Sequence, residues 1–578
     1  MTESKIAFYR NAPTLFINGR PHTSMAYMTY LRERGRFRQM YELGCRLFSA
    51  ATFFAASPLN TADQIHPLEP GIYETPGAPD FAPLDDLLAQ IVGDCPEGWI
   101  FLRVNTNLPR WWEQAHPDAL CETGIEGAAP RACPADPGYR ETCADFLRQY
   151  IEHVENSPYA DRVIGYQIAG GQTEEWQAID GNGNRGKAMD DAFAAEHPEL
   201  VRGTEEAEEE FRRFTSEKTA ETVCLLAKAA KECVKGRKII GAFYGYTFET
   251  PWWQNCHSAL DRILRCPEIE FMASPLSYLR VRGPGIDWAP MMAADSLRLH
   301  GKLYFAEADV RTYLSGRLAD ARENVCEPGS YEQPLWFGPK DPWLCRQEMR
   351  AVVMRMLTHN TSLWWFDMWG GWYDGPELIE ELRTLYRLAD MENGSREQAE
   401  LAVYVDEKAT AKLTGDRYAA VPLLSEGRIP LGHCGAPYDV YLTSDFAETQ
   451  EKYKAAVFFV AAETDEMSRA IRQWRESGRP ELTATLTGPR LAAESVAELC
   501  DRGGVHRWCA PGDVIYASSR WASLYAAEAG EKTIRLPGIF DAEDLTDGRK
   551  YHSVTEITVT VRQYETRILR LTAADADR

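Results

Sequence analysis

The sequence predicts an α/β protein with three parts: a (β/α)₈ TIM barrel over residues 1–395, a flavodoxin-like α/β domain over 396–510 and a small antiparallel β-sandwich over 511–578. Three observations predict this organisation. Eight near-continuous apolar runs alternate with amphipathic segments up to about residue 395, and the alternation restarts on a smaller scale after a polar stretch at 391–400. From about residue 514 onward, apolar and polar residues alternate one by one, which is typical of antiparallel strands.

The eight apolar runs of the first part indicate strands of a parallel sheet buried on both faces. They are SMAYMTY (24–30), LFSAATFF (47–54), WIFLRVN (99–105), VIGYQIA (163–169), KIIGAFYGY (238–246), FMASP (271–275), LYFAEA (303–308) and SLWWFDM (362–368). Segments with helical period separate them: FRQMYEL, LDDLLAQIV, ETCADFLRQYIEHV, AETVCLLAKAAKECV, SALDRILRC, MMAADSLRL, RQEMRAVVMRML and ELIEELRTLYRLAD. Eight such units favour a closed barrel over the alternative, a doubly wound open sheet, which usually needs fewer strands.

The second and third parts carry no recognisable nucleotide site. Strands are predicted at LAVYVDE (401–407), DVYLTSD (439–445) and AAVFFVAAET (455–464), with a helix at EMSRAIRQWRESG (466–478). Neither GxGxxG nor GxxxxGK[ST] follows the first of these strands, so a structural or assembly role is favoured. The antiparallel strands of the last part are predicted at DVIYAS, KTIRLP, ITVTVRQ and TRILRLT.

Charge and cysteine spacing exclude several functions. The net charge of −23 repels phosphate backbones and anionic lipid, so no nucleic-acid or membrane partner is expected, and a neutral substrate is favoured. No window approaches 18 consecutive apolar residues, and MTESKIAFYRNAP does not resemble a secretory signal, so a cytoplasmic location is expected. The 14 cysteines lack CxxC pairs and no HExxH occurs, which predicts free thiols and no metal site.

Carboxylates stand at the ends of the fourth and seventh apolar runs. The fourth run ends at Gly170 and Gly171 and leads to Glu174 and Glu175, and the seventh run contains Glu307. In an eight-stranded barrel the ends of these two strands face each other across the mouth, where catalytic residues lie. Two carboxyls within about 5 Å could cleave a glycosidic bond by double displacement. Each glutamate alone would equally suit a structural role, at a helix start or in an ion pair; together they predict a catalytic pair.

Sugar-binding side chains are predicted around these carboxylates. Aromatic rings can pack on the C–H faces of a sugar, and the eighth run, SLWWFDMWGGWYDG, is unusually rich in tryptophan, although roughly half of the protein's tryptophans should serve packing. Polar residues at strand ends could contact hydroxyl groups, although each is also typical of a structural hydrogen-bonder. The candidate substrate-binding residues are Arg103, Asn105, Gln167, Glu174, Tyr278, Trp365, Asp367 and Trp369.

The stretches GYQIAGGQTEEW, YFAEADVRT and WWFDMWGGWYD carry a resemblance to a known group. The chain resembles the retaining glycoside hydrolases of clan A, and more closely the three-domain bacterial β-galactosidases of family 42 and related β-mannosidase-type families. The resemblance implies that Glu175 is the acid/base, that Glu307 is the nucleophile and that Tyr278 touches the nucleophile. It also implies a homotrimer formed through the flavodoxin-like domain.

One position departs from the clan A pattern. Clan A enzymes usually have Asn directly before the acid/base, where its amide contacts the sugar 2-hydroxyl; here that position holds Glu174, or Thr173 if Glu174 is the acid. Glu175 is preferred as the acid because Trp176 follows it, and an apolar neighbour raises a carboxyl pKa. Glu174 remains the alternative.

These observations together predict an exo-acting β-glycosidase that hydrolyses small β-glycosides by double displacement without a metal or organic cofactor. A β-galactosidase-like activity is favoured, with β-mannosidase or another β-hexosidase next. Two alternatives remain. An inverting glycosidase would hold its carboxyls roughly 6.5–9.5 Å apart. A catalytically silent barrel would bind carbohydrate without cleaving it.

Overall fold

The structure, a computed structural model, describes residues 2–56, 65, 68–123, 130–178, 181–391, 394, 396–397 and 399–574. It opens with a three-stranded antiparallel sheet formed by β1 (Ser4–Tyr9), β2 (Ala12–Ile17) and β3 (Arg20–Pro21). This sheet lies at the N-terminal ends of the barrel strands, where Ser4 Oγ accepts the backbone N–H of Ile239 at 3.0 Å. This sheet was not predicted, although Asn18 and Gly19 (φ 50° and 78°) form the Asn-Gly pair that is typical of a tight hairpin turn.

Eight parallel strands close into a barrel, as predicted. They follow one another in chain order around the barrel, and nearly all of their residues are buried because helices cover the outside and side chains fill the inside. All eight predicted runs are confirmed. The strands are β4 (Met25–Met28), β5 (Leu47–Phe53), β6 (Trp99–Asn105), β7 (Val163–Ala169), β8 (Ile239–Phe243), β9 (Phe271–Pro275), β10 (Leu303–Ala308) and β11 (Ser362–Phe366).

Helices occupy every predicted helical segment between the strands and in the loops. They cover the barrel with one apolar face each; α4, for example, is capped by Asp136, whose carboxylate accepts the N–H of Tyr139 at 2.7 Å. The helices of this part are α1 (Phe37–Glu42), α2 (Ala82–Asp94), α3 (Arg110–Ala115), α4 (Pro137–Asn156), α5 (Lys187–Glu196), α6 (Glu205–Cys233), α7 (Leu260–Leu264), α8 (Ala294–Leu299), α9 (Leu318–Ala321), α10 (Pro342–His359) and α11 (Pro376–Met391). Among the described residues, none of the helices is both long and apolar enough to cross a membrane.

The strand register determines which side chains point into the barrel. Phe101, Phe271, Phe305 and Trp364 form an interior layer with successive ring centroids 5.4–5.9 Å apart. Side chains alternate along a strand, so residues two positions further toward the C-terminus point inward as well, one layer nearer the mouth. Arg103 on β6 and Glu307 on β10 hold such positions above the aromatic layer.

The second part contains a four-stranded parallel sheet. Its strands β12 (Leu401–Val405), β13 (Tyr438–Leu442), β14 (Ala455–Val460) and β15 (Glu481–Thr485) lie in the order β13-β12-β14-β15, which is the flavodoxin-like arrangement. The three predicted strands and the predicted helix are confirmed; β15, at the sheet edge, was not predicted. The helices are α12 (Val421–Leu424), α13 (Arg428–Gly432), α14 (Phe446–Thr449), α15 (Asp465–Glu476) and α16 (Ala493–Gly503).

The third part is antiparallel, as predicted. Instead of the two sheets of a sandwich, its described strands form one five-stranded sheet in the order β16-β17-β20-β18-β19, because the long strand β18 pairs with both β19 and β20 and shifts register near Phe540. The strands are β16 (Val514–Ala517), β17 (Trp521–Tyr525), β18 (Gly530–Asp544), β19 (Lys550–Val561) and β20 (Thr566–Ala573). The domain boundaries after residues 395 and 510 stay predictions.

Candidate active site

The C-terminal ends of the barrel strands surround a cavity of about 330 Å³. Glu175, from the loop after β7, and Glu307, near the end of β10, both line it. In the barrel these strands are separated by β8 and β9 on one side and by four strands on the other. The closed sheet therefore brings together two carboxyls that lie 132 positions apart in the chain.

The loop GGQTEEW that carries Glu175 has an unusual backbone. Thr173, Glu174 and Trp176 adopt left-handed φ values of 56°, 70° and 60°. A side chain at Gly171 (φ 66°) would place its Cβ 2.6 Å from a backbone oxygen, and one at Gly170 would lie 2.9 Å from the Trp176 ring. The two glycines are thus required by space and conformation. Each non-glycine residue in the left-handed conformation costs about 1–3 kcal/mol of strain. Such strain persists where surrounding contacts hold the backbone in that conformation.

Hydrogen bonds from a neighbouring loop hold this strained segment in place. The Asn107 amide donates to the carbonyl of Gly171 at 2.9 Å and its Oδ1 accepts the Gly171 N–H at 2.9 Å. Asn105 Oδ1 in turn accepts the backbone N–H of Asn107 at 3.0 Å. Trp176 is buried and donates from Nε1 to the carbonyl of Ile168 at 3.1 Å. The loop is therefore anchored to β6 and β7.

Glu175 sits in a buried, hydrogen-bonded position that favours a protonated carboxyl. Its Oε1 accepts the hydroxyl of Tyr246 at 2.9 Å, and its Oε2 accepts that of Thr173 at 2.6 Å and a 3.4 Å contact from Gln177. Burial, followed by the negative charge of Glu307, raises the pKa of Glu175 to about 8, although the Thr173 and Tyr246 hydroxyls oppose the shift. At neutral pH this carboxyl can donate a proton.

Glu307 is paired with a buried arginine. Arg103 Nη2 donates to Glu307 Oε2, and Arg103 Nη1 donates to the hydroxyl of Tyr30 at 3.2 Å. The guanidinium also lies 4.6 Å from the centroid of the Phe243 ring and 5.4 Å from that of Trp364. Burial raises the pKa of Glu307 to about 7, and the charge of Arg103 limits the rise. Of Glu175 and Glu307, Glu307 is therefore the one that favours the ionised form.

Glu174 lies below the cavity rather than in its wall. Its side chain is fully buried, and Oε2 is 3.5 Å from Nη1 of Arg103. Burial raises its pKa, which the charge of Arg103 opposes. Of the doublet Glu174–Glu175, only the second member lines the cavity. Arg103 thus stands between two carboxyls, one facing the cavity and one beneath it.

The other predicted substrate-binding residues fall into three places. Tyr278 and Trp369 line the cavity. Arg103, Asn105 and Gln167 are buried in the barrel interior and are absent from the cavity lining; the amide of Gln167 has no hydrogen-bond partner among the described residues. The resemblance implied that Tyr278 touches Glu307, but the hydrogen bond of its hydroxyl goes to Asp309 Oδ2 at 2.9 Å.

Trp365 and Asp367 lie away from the cavity, and their positions explain why. Trp365 follows an inward-facing residue on β11 and so points outward, where it packs against Tyr373 with ring centroids 5.5 Å apart. Asp367 closes the turn after β11, accepting the Tyr27 hydroxyl at 2.8 Å and the Trp372 N–H at 2.8 Å. In this structure both are packing and turn residues rather than parts of the cavity wall.

Several cavity residues were not predicted. Tyr246 and Glu249 follow β8, and their position after a predicted strand was the available signal. Tyr331 and Trp336 lie in the long loop between β10 and α10, where no periodicity points to them. Among the described residues, no group of three or more His, Cys, Asp or Glu side chains could hold a metal ion.

A residue of the second part braces the loop that carries Glu249. Arg428, at the start of α13, donates to the carbonyl of Pro290 at 2.7 Å and lies 3.6 Å from Glu249 Oε2. Glu249 accepts the hydroxyl of Ser277 at 2.6 Å and the N–H of Tyr278 at 2.7 Å. The cavity wall is therefore linked through Glu249 to the flavodoxin-like part of the chain.

Comparison with known proteins identifies the fold. The β-galactosidase from Bacillus circulans sp. alkalophilus matches with a TM-score of 0.60 and 12% identity over 95% of this chain and 99% of that chain. The cold-adapted β-galactosidase from Rahnella sp. R3 matches with 0.61 and 12% over 95% and 98%, and the GH42 exo-carrageenase from Bacteroides ovatus with 0.60 and 10% over 99% and 85%. No protein-family model matches the sequence, and neither does any curated protein. The chain thus has the three-part fold of the GH42 β-galactosidases.

Proposed function

We propose that the protein is a retaining, exo-acting β-glycosidase with β-galactosidase-like specificity, in which Glu307 is the nucleophile and Glu175 the acid/base. The observation that carries the proposal is that these two carboxyls line one cavity and that burial raises the pKa of both, to about 7 and about 8. Carboxyls that differ in pKa at one site can divide the roles of base and acid between them.

The reaction would proceed in two displacements. In the first, a Glu307 oxygen bonds to the anomeric carbon as the glycosidic C–O bond breaks, and the leaving oxygen takes the proton of Glu175. In the second, the Glu175 carboxylate removes a proton from water, whose oxygen bonds to the anomeric carbon as the bond to Glu307 breaks. Glu175 ends protonated and Glu307 ionised, as they began.

The surroundings of each carboxyl suit its proposed role. Arg103 donates to Glu307 and so favours the ionised form that attacks. No cation pairs with Glu175 among the described residues, and its hydroxyl partners Tyr246 and Thr173 hold the carboxyl in one orientation. Glu174 stands in the place of the usual clan A asparagine, but it does not line the cavity and lies 3.5 Å from Arg103, so it would influence the sugar 2-hydroxyl only indirectly.

The fold likeness supports the coarser part of the proposal, that the protein is a glycoside hydrolase, since the similar structures are β-galactosidases and an exo-carrageenase. The proposal also includes a homotrimer and a cytoplasmic location. The trimer rests on the flavodoxin-like arrangement of the second part. The location rests on the 14 cysteines, all free thiols, which suit a reducing compartment. Light scattering of the purified protein tests the trimer: a mass near three times 65.3 kDa is expected.

A panel of nitrophenyl β-glycosides tests the reaction. Wild type should hydrolyse at least one of them, and Glu307→Gln should lower kcat/KM by at least about 10³. Glu175→Gln should lower kcat more than kcat/KM, because nitrophenolate leaves with little protonation whereas the second displacement needs the base. Azide should rescue Glu307→Gly and yield an α-glycosyl azide. The matched control is Glu348→Gln, since Glu348 is a buried carboxyl on α10 with a pKa raised to about 8 that does not line the cavity. Full activity in Glu307→Gln would overturn the proposed mechanism.

A further inference from the structure

Most polar groups that line the cavity already bond to other protein groups. Thr173 and Tyr246 donate to Glu175, the Tyr278 hydroxyl donates to Asp309, and Glu249 accepts two hydrogen bonds from its neighbours. Beyond the sugar ring that the two catalytic carboxyls would hold, the described wall therefore offers little capacity to satisfy further sugar hydroxyls. A hydroxyl buried without a partner costs affinity.

Aliphatic side chains form a large share of the remaining wall. These side chains offer a sugar hydroxyl no strong hydrogen bond. When an apolar group displaces water from them, the burial of apolar surface makes binding more favourable. They are Ile65, Leu68, Leu279, Met291, Leu335 and Met368.

Aromatic rings continue this surface as an arc of side chains in mutual contact. The ring of Trp369 lies 5.6 Å from that of Tyr331, Tyr331 lies 4.5 Å from Trp336, and Trp336 lies 5.7 Å from Tyr278. Leu279 and Leu335 are the chain neighbours of Tyr278 and Trp336, and both are half-buried. These rings and the aliphatic side chains that line the same cavity form its apolar face.

From this distribution we infer that the site takes β-glycosides whose leaving group is an apolar alcohol, alkyl or aryl, in preference to oligosaccharides. The inference rests on the proposed function. Its physical basis is that the apolar face can bury a hydrocarbon leaving group, while a second sugar ring would place several hydroxyls against the aliphatic side chains of that face. Each methylene that becomes buried should raise kcat/KM by about two- to fourfold.

A series of substrates that share one sugar tests the inference. The sugar is the one preferred in the nitrophenyl panel, and the leaving groups are methanol, butanol, octanol and a second sugar. The alkanols have similar acidity, so differences among them report binding rather than leaving-group chemistry. The octyl glycoside should exceed the butyl glycoside in kcat/KM by at least about tenfold, and should also exceed the disaccharide.

Variants of the apolar face provide the second readout. Leu279→Asn and Leu335→Asn should each lower the octyl-to-methyl ratio of kcat/KM by about tenfold or more. The matched control is Leu314→Asn in the loop that also carries Leu335; Leu314 is exposed and does not line the cavity, so the ratio should stay unchanged. A flat dependence on chain length, or a disaccharide cleaved best, overturns this inference alone, whereas no hydrolysis of any β-glycoside overturns the proposed function with it.

Discussion

Replacing the proposed acid/base should stabilise the protein at alkaline pH while abolishing turnover. Burial and the charge of Glu307 raise the pKa of Glu175 from its ordinary 4.5 to about 8. Between these values the folded protein keeps a proton that the unfolded chain has released, so the free energy of unfolding falls as pH rises, by about 1.4 kcal/mol per pH unit. Above pH 8 the accumulated cost approaches about 5 kcal/mol.

Glu175→Gln removes this cost because the amide does not ionise. Near pH 5 the variant should be no more stable than wild type, and it should lose about 1 kcal/mol through poorer hydrogen bonds with Tyr246 and Thr173. Between pH 5 and pH 8 its stability relative to wild type should rise steadily, and above pH 8 the difference should level off. The advantage at pH 9 is then about 4 kcal/mol.

Thermal unfolding of both proteins at pH 5, 6, 7, 8 and 9 measures the effect, because the difference between the two midpoints removes the contributions of groups that do not interact with Glu175. Glu348→Gln should show a similar pH-dependent gain while keeping its activity, since burial raises the pKa of Glu348 as well. A difference in midpoint between Glu175→Gln and wild type that is the same at every pH would refute the reasoning, because it would mean that Glu175 does not hold a proton in the folded state.

Three further predictions follow from the same site. The pH dependence of kcat/KM should be bell-shaped with its optimum between about 7 and 8, because activity rises as Glu307 ionises and falls as Glu175 loses its proton. A value of kcat/KM that still rises above about pH 9 would contradict these assignments. Tyr246→Phe and Thr173→Gly each remove a hydrogen bond that lowers the pKa of Glu175, so the alkaline limb of the pH profile should move to higher pH. Thr173→Gly should cost little stability because glycine accepts the left-handed backbone at this position. An alkaline limb that does not move in either variant would count against these hydrogen bonds. Arg428→Gln should lower kcat/KM about tenfold by loosening the loop after β8, and Arg428→Lys should restore part of the activity. Equal activity in wild type and both variants would show that the second part of the chain does not brace the cavity.

The architecture was largely predictable because burial on both faces leaves a direct trace in sequence. A strand covered by helices outside and side chains inside must be apolar at nearly every position, and all eight such runs became barrel strands. The N-terminal hairpin, the edge strand β15 and strand β17 were not predicted. Strands β1 and β15 are partly exposed and carry a weaker pattern, whereas β17 is buried along its whole length. The long loop with Tyr331 and Trp336 could not be predicted, since its place over the cavity depends on no periodicity.

The sequence alone determined the candidate carboxyls, because parallel strands in a closed barrel must end at one rim and Glu175 and Glu307 stand at such ends. The tertiary structure alone decided where each member of a doublet points. At Trp364–Trp365 the strand register sends the first inward and the second outward, and register is set by pairing with distant strands. At Glu174–Glu175 the left-handed backbone removes the simple alternation of side-chain direction that a strand would have. The fold also brings Arg103 into contact with both Glu174 and Glu307. Contacts between segments so far apart in the chain leave no local trace in the sequence.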